Sequence, residues 1–387
     1  MIGAPPATGR RTHRTELALL TAAKTVANTA LRWIGPFLPT LERAFSTTTG
    51  TLTGIVGVCE LGGLSTVLTG PHLDRGRERR VFTIGMAAVA ISSVIALIGT
   101  ITSFAIAFGV LILGVTNLTV AGHAWIGHRV VYSARGRAIG AYETSWAIAL
   151  LVGAPALAVL IAWFGWRGPF VALAIASGAA ALGVHLLVAD DAPLRSPTAA
   201  ASASLPATAW FPMLASAATA AAGMSIFVVS GAWLDDDYGV STGGLGLIAA
   251  GFGAIELASS TTVATRGDRL GARRSLAIGL VVLLVGCVVM AAAGGSRALA
   301  IVGLLVFLAG FEFGFVSSLT LMTEAAPQAR GRALGISSGM GTVARAGAIV
   351  ASGQLYEAFG IGGSLVMVAT IASVALGFTA ISRSPST

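Results

Sequence analysis

Residues 134–140 read ARGRAIG and residues 329–335 read ARGRALG, so one basic heptamer recurs 195 positions later in a chain of 387. Two further pairs keep the spacing. Asp74-Arg75 returns as Asp268-Arg269 at an offset of 194, and Phe164-Gly165 returns as Phe359-Gly360 at 195. The chain is therefore one unit written twice, and its composition says what kind of unit. It is 55% hydrophobic and 10% charged, with a mean hydropathy of +0.85, whereas soluble domains carry about 25% charged residues. A surface with so little charge belongs against lipid.

Apolar stretches of about 20 residues, each long enough to cross the bilayer as a helix, recur twelve times. They fall near 17–39, 50–70, 81–101, 104–124, 138–161, 169–189, 209–233, 243–265, 275–293, 298–323, 333–353 and 361–381. The runs are continuous rather than alternating, which excludes a β-barrel and leaves helices. The heptamers then sit in the loops that lead into spans 5 and 11. The two halves, 17–189 and 209–381, run in the same orientation, a parallel repeat of the kind many transporters use. Between them, 190–208 contains DDAPLRSPTAAASASLP, whose Ser, Pro and Ala content reads as a flexible linker. Residues 1–16 and 382–387 are tails.

The net charge of +8 does not point to nucleic acid, because its distribution is one-sided. Placing the N-terminus in the cytoplasm puts 18 of the 24 basic residues in cytoplasmic tails and loops, leaving Arg43, Arg167 and Arg297 outside and three within spans. That bias is the positive-inside rule and predicts both termini in the cytoplasm of a cell-membrane protein. Cys59 and Cys287 fall inside spans, so neither a disulfide framework nor a Cys-based metal site is expected. No cofactor or metal is called for, and DDDYG at 235–239 lacks the distal Glu of a calcium loop and reads as a solvated external loop.

The loops after spans 2 and 8 read GPHLDRGRERR and ATRGDRLGARR. Together with the repeated ARGRA loop, they resemble the cytoplasmic signature of the major facilitator superfamily, over essentially the whole chain. The resemblance implies a twelve-helix, all-α membrane fold in two six-helix halves. It also implies a cytoplasmic gate built from Gly70, Asp74, Arg75 and Arg77 in the first copy and Asp268, Arg269, Gly271 and Arg273 in the second. In that family the Asp after helix 2 braces the cytoplasmic side against helix 11. Two departures stand out: Gly76 comes one position early, and Ala264 replaces the second copy's leading glycine.

Charges inside the bilayer are costly and usually functional. Seven occur: Lys24 and Arg32 in span 1, Glu60 in span 2, Glu143 in span 5, Glu256 in span 8, Glu312 in span 10 and Arg345 in span 11. Lys24, Asn28, Arg32 and Pro36 are spaced by four and form one stripe on a helix. Depth along the helices, taken with the helix neighbours that the family resemblance implies, pairs Lys24 with Glu143 and offers Arg345 either Glu312 or Glu60 as partner. Arg32 has no equally obvious mate, which makes it the candidate for an anionic substrate group. Glu256 and Glu312 are the candidates for proton carriers, with Glu60 and Glu143 as further acidic sites. Asn117 in span 4 and Trp146, one turn past Glu143, are candidate cavity residues. Pro155 should kink span 5.

These residues predict a secondary transporter that moves a small molecule by alternating access. Proton-coupled efflux of drugs or metabolites is the first expectation, and import or exchange of a small organic anion the second. No Walker A motif is present, which argues against intrinsic ATP drive. A membrane enzyme is disfavoured because the five histidines are scattered, no HExxH occurs and the intramembrane charges are split across both halves. A receptor or scaffold on the same fold remains the alternative of another class. The expected partners are the substrate, the proton and the lipid bilayer, with the protein a monomer.

Overall fold

The computed structural model describes residues 7–189, 205–326 and 330–382, without the side chains of 7–12, 264, 266–268, 323 and 330–331. The expected linker and tails lie mostly outside those residues. The described chain is helical. The first half comprises α1 (Ala7–Arg32), α2 (Thr49–Leu73), α3 (Glu78–Ala96), α4 (Ile101–Arg129), α5 (Tyr132–Phe164) and α6 (Arg167–Leu187). The second comprises α7 (Trp210–Tyr238), α8 (Thr242–Leu270), α9 (Ala272–Ala291), α10 (Arg297–Ala325) and a final segment, Arg330–Ile381. Gly360 breaks that segment with φ 61° and ψ −162°, a conformation reserved for glycine. It yields α11 (330–359) and α12 (361–381), so the described residues hold twelve long helices, as expected.

Among the described residues, ten segments are long and apolar enough to span a membrane, with α11 and α12 joined in one. Helix α1 is not among them, since it carries Arg14, Glu16, Lys24 and Arg32. It also stops at Arg32, not near residue 39 as the hydropathy suggested. The chain turns through 33–37 and enters a short helix, Leu38–Phe45, with Pro39 in its first turn, where the missing N–H costs nothing.

Local chemistry fixes several ends. Thr100 and Ser103 form a reciprocal capping box that starts α4, and Gly239, left-handed at φ 59°, ends α7. The DDDY of 235–238 is thus the last turn of α7 and not a free loop. Within α5 the expected kink takes the form of a π-helical turn, Ala149–Gly153, immediately before Pro155. Proline offers no N–H to the carbonyl four residues back, and a π turn reshuffles the bonds around that gap. Helix α2 is tightened into a 3₁₀ stretch at Leu61–Ser65, directly after Glu60.

The halves meet mainly along α2 against α11 and α5 against α8. At Gly57 an added Cβ would stand 2.6 Å from the Ala346 carbonyl oxygen of α11, and at Gly253 one would stand 2.5 Å from the Ala147 carbonyl oxygen of α5. Only glycine lets the backbones approach so closely. These contacts seal the end of the molecule far from the termini. At the termini end, by contrast, a Cβ at Gly70, Gly136 or Gly335 would meet open space, and Asp74, Arg75 and Arg77 are exposed. The molecule is closed at its far end and open at its termini end.

Candidate functional site

The polar stripe of α1 faces the middle of the molecule: all three of its members bond to α5, and Arg32 bonds to α8 as well. Lys24 is 1% exposed. Its Nζ donates to Glu143 Oε1 at 2.7 Å and lies 4.1 Å from the centre of the Tyr142 ring. Glu143 Oε1 also meets His123 Nε2 at 2.7 Å. Glu143 and His123 are both about two-fifths exposed, so this cluster borders the open end. One turn further, the buried Asn28 donates to Ser145 Oγ at 3.2 Å, while its Oδ1 has no partner.

One more turn brings Arg32, which depth alone left without a mate. The structure supplies one from the other half. Arg32 Nη1 donates to Glu256 Oε2 at 2.6 Å, and Nη2 donates to Glu256 Oε1, a bidentate pair with each side chain 5% exposed. Nη1 also donates to the Trp146 carbonyl at 2.8 Å. That carbonyl belongs to the turn just ahead of the π segment, where α5 departs from regular helical bonding. The guanidinium lies 4.2 Å from the Trp146 ring centre and 5.4 Å from that of Phe227. Planar guanidinium suits both the fork and the stacking. Its Nε remains buried without a partner.

Glu312 of α10, 7% exposed, completes this centre. Its carboxyl lies close enough to Glu256 and Arg32 to feel both charges. Glu256 alone is bonded to the guanidinium, Glu312 stands beside the pair, and the three groups carry no net charge when the two acids hold a single proton. Arg345 donates to Glu60 Oε2 at 3.3 Å, again across the halves, and to Thr342 Oγ1 at 3.4 Å. Of the two partners that depth offered it, the structure selects Glu60.

The remaining candidates do not converge on this centre. Asn117 ties α4 to α2, donating to Ser65 Oγ at 2.8 Å and accepting from Thr69 Oγ1 at 2.7 Å. Asp74 is exposed rather than braced against α11, because the termini end is open. Arg269 and Gly271 are exposed too, and the side chain of Asp268 lies outside the described residues. Arg273 donates to the Thr379 carbonyl at 2.9 Å and to the Ala380 carbonyl, tying α9 to the end of α12.

Sequence reasoning missed a polar cluster at the closed end. Arg43 pairs with Asp235 at 2.6 Å. Gly50 N–H donates to Glu357 Oε1 at 2.7 Å, and Tyr356 Oη donates to Asp236 Oδ2 at 2.7 Å. The DDDYG stretch is thus part of a closure and not simply solvated. No motif marks these residues, since they meet only when the halves do.

The sequence profile of the Major Facilitator Superfamily matches residues 20–217 and again 213–387. No curated protein matches the sequence. Among solved structures, a bacterial homologue of the human lysosomal transporter Spinster, inward-facing and occupied, superimposes with a TM-score of 0.81 at 15% identity, over 99% of this chain and 98% of that one. A D-xylose-proton symporter follows at 0.76 and 16%, over 94% and 96%. A POT family transporter in complex with a thioalcohol-conjugated peptide gives 0.72 and 14%, over 95% and 94%.

Proposed function

Given that the chain belongs to the major facilitator superfamily, we propose that it is a proton-coupled secondary transporter that exports a small cationic or neutral amphipathic compound, with Glu256 and Glu312 as the exchange site. The observation that carries this reading is a second buried acid, Glu312, standing beside the Arg32–Glu256 pair. Transport by alternating access needs a group that loads on one side and unloads on the other, and an acid already matched to a permanent counter-ion cannot serve. Here Arg32 satisfies Glu256, and Glu312 is left as the second acid. A proton neutralises it, and so does a cationic cargo. The two compete for one place, which is the requirement for exchange.

The balance of charge in the membrane also favours export of a cation over import of an anion. Lys24, Arg32 and Arg345 each meet a carboxylate, and four glutamates stand against these three cations. An anionic cargo would have to displace a carboxylate already in place. Trp146, beside Arg32 and half-buried, offers a face for an apolar or cationic group. With both termini in the cytoplasm of the cell membrane, the open end is the cytoplasmic one, and this state would collect cargo from inside. The protein acts as a monomer in this reading.

The test is proton movement in everted vesicles under an imposed pH gradient, with lipophilic cations, neutral drugs and organic anions as probes. Wild type should lose the gradient on addition of a cation or neutral compound, and Glu312→Gln should not, while remaining folded. Retained exchange in Glu312→Gln with unchanged pH dependence overturns the assignment. A response to organic anions alone would restore Arg32 as the substrate ligand.

A further inference from the structure

At the closed end, more acid gathers around Arg43 than that one guanidinium can neutralise. From the first half come Glu42 and Arg43, on the short helix Leu38–Phe45, and the first turn of α2. From the second come Asp235, Asp236 and Asp237 at the end of α7, and Tyr356 and Glu357 near the end of α11. Arg43 is engaged by Asp235. Asp236 accepts from Tyr356. Glu357 reaches across the halves to the N–H of Gly50, in the first turn of α2, whose orphan N–H groups and dipole favour a carboxylate. A helix of one half is capped by a side chain of the other. Glu42 accepts from Thr49 Oγ1, the residue before Gly50. Glu42 and Glu357 thus converge on one helix end from opposite halves.

We propose that this convergence is a latch for the far gate and that the proton concentration on that side sets it through Glu42. Closing brings Glu42 against Asp236 and Glu357, while opening carries those two away with the second half. A proton on Glu42 removes the repulsion that closing would otherwise incur, and it leaves the carbonyl oxygen free to keep its bond from Thr49. The acids that face Glu42 from α7 and α11 are Asp236 and Glu357, with Tyr356 and Asp237 behind them. The cation beside it is Arg43, on its own helix.

Burial pushes the Glu42 carboxyl above its ordinary value in the closed form, and Asp236 and Glu357 add to this. The Thr49 hydrogen bond and Arg43 pull it back only in part. A group whose value is raised in one state stabilises that state at low pH. The contribution is complete below the ordinary carboxylate value of about 4.3 and is lost as pH rises through the raised value. Acid on the far side therefore holds the gate shut, and alkali releases it. Each pH unit between the closed and open values is worth about tenfold in the closed-to-open ratio. In the orientation proposed above that side is external, so an acidic exterior would favour the state open to the cytoplasm. The latch rests on the alternating-access reading but not on Glu312.

Spin labels at Ser46 and Ser241, both exposed and in opposite halves at this end, report the gate as a distance distribution in nanodiscs. The short-distance population should grow as pH is lowered from about 8 to the ordinary carboxylate value of about 4.3. Glu42→Gln should hold it high throughout, and Glu357→Gln should move the transition to lower pH. In a Glu312→Gln background, Glu42→Gln should still remove the pH dependence of the gate distance, whereas proton exchange in vesicles is read separately, so a failed latch and a failed exchange site give different results. A wild-type distribution that is flat across the range overturns the proposal, as does a Glu42→Gln protein that keeps the wild-type midpoint.

Discussion

Neutralising Arg32 should cost far more stability than neutralising Glu256, although the two form one ion pair. The reason is the third member. In Glu256→Gln the guanidinium still has Glu312 beside it, the Trp146 carbonyl at 2.8 Å and the Trp146 ring at 4.2 Å. The loss is then about one charge-assisted hydrogen-bonding arrangement, roughly 1.5–3 kcal/mol. In Arg32→Gln two buried carboxyls face each other with no cation between them. One can take a proton from the other's neighbourhood, but an ionised acid that is 5% exposed then has no counter-ion, which costs about 3–5 kcal/mol. The double variant should be less damaging than the sum, with a coupling of about 0.5–3 kcal/mol. Unfolding of the purified protein in mixed micelles by increasing denaturing detergent measures all three. If Glu256→Gln is as destabilising as Arg32→Gln, Glu312 is not acting as a second acid on the same guanidinium, and the proton-sharing centre fails with it. Glu256→Gln carries a functional consequence as well. Glu312 becomes the permanent counter-ion of Arg32, so this variant should fold yet lose proton exchange in the vesicle assay.

Other expectations follow from the same contacts. Lys24→Met and Glu143→Leu should each impair folding, while the double variant should recover part of the loss, since Lys24 is 1% exposed and its removal strands little once Glu143 is also gone; thermal unfolding in detergent checks this. Glu60→Gln should cost no more than about 1 kcal/mol, because its partner Arg345 is 27% exposed and the pair is at 3.3 Å; a larger loss in the same measurement would mean that the pair is shielded from water. Gly57→Leu would drive a side chain into the Ala346 carbonyl and Val350. It should shift the protein toward the form open at the far end, seen as a gain in labelling of a cysteine at Thr53 by a membrane-impermeant maleimide; unchanged labelling would show that α2 and α11 part elsewhere.

Much of this protein is legible in one dimension. Lipid as solvent forces every backbone group to bond within its own segment, so continuous apolar runs had to be helices, and the duplicated ARGRA loops revealed two copies in one orientation. The stripe Lys24–Asn28–Arg32 is legible too, because a period of four on a helix needs no partner to define a face. Depth, with the helix neighbours that the family resemblance implies, then found Lys24 with Glu143, whose helices lie within one half. It could not find Arg32 with Glu256, since nothing in the sequence says how α1 of one half stands against α8 of the other. The same holds for Glu357, whose carboxylate caps a helix 307 residues away. Nor could hydropathy foresee that α5 would pass Pro155 through a π turn, with the Trp146 carbonyl of the turn before it held by Arg32. The sequence by itself determined the solvent, the helices and the repeat, because these depend on transfer free energy and local bonding. Tertiary structure alone decided which charges meet, and which end is closed, because both depend on the relative placement of two halves that alternating access requires to be variable.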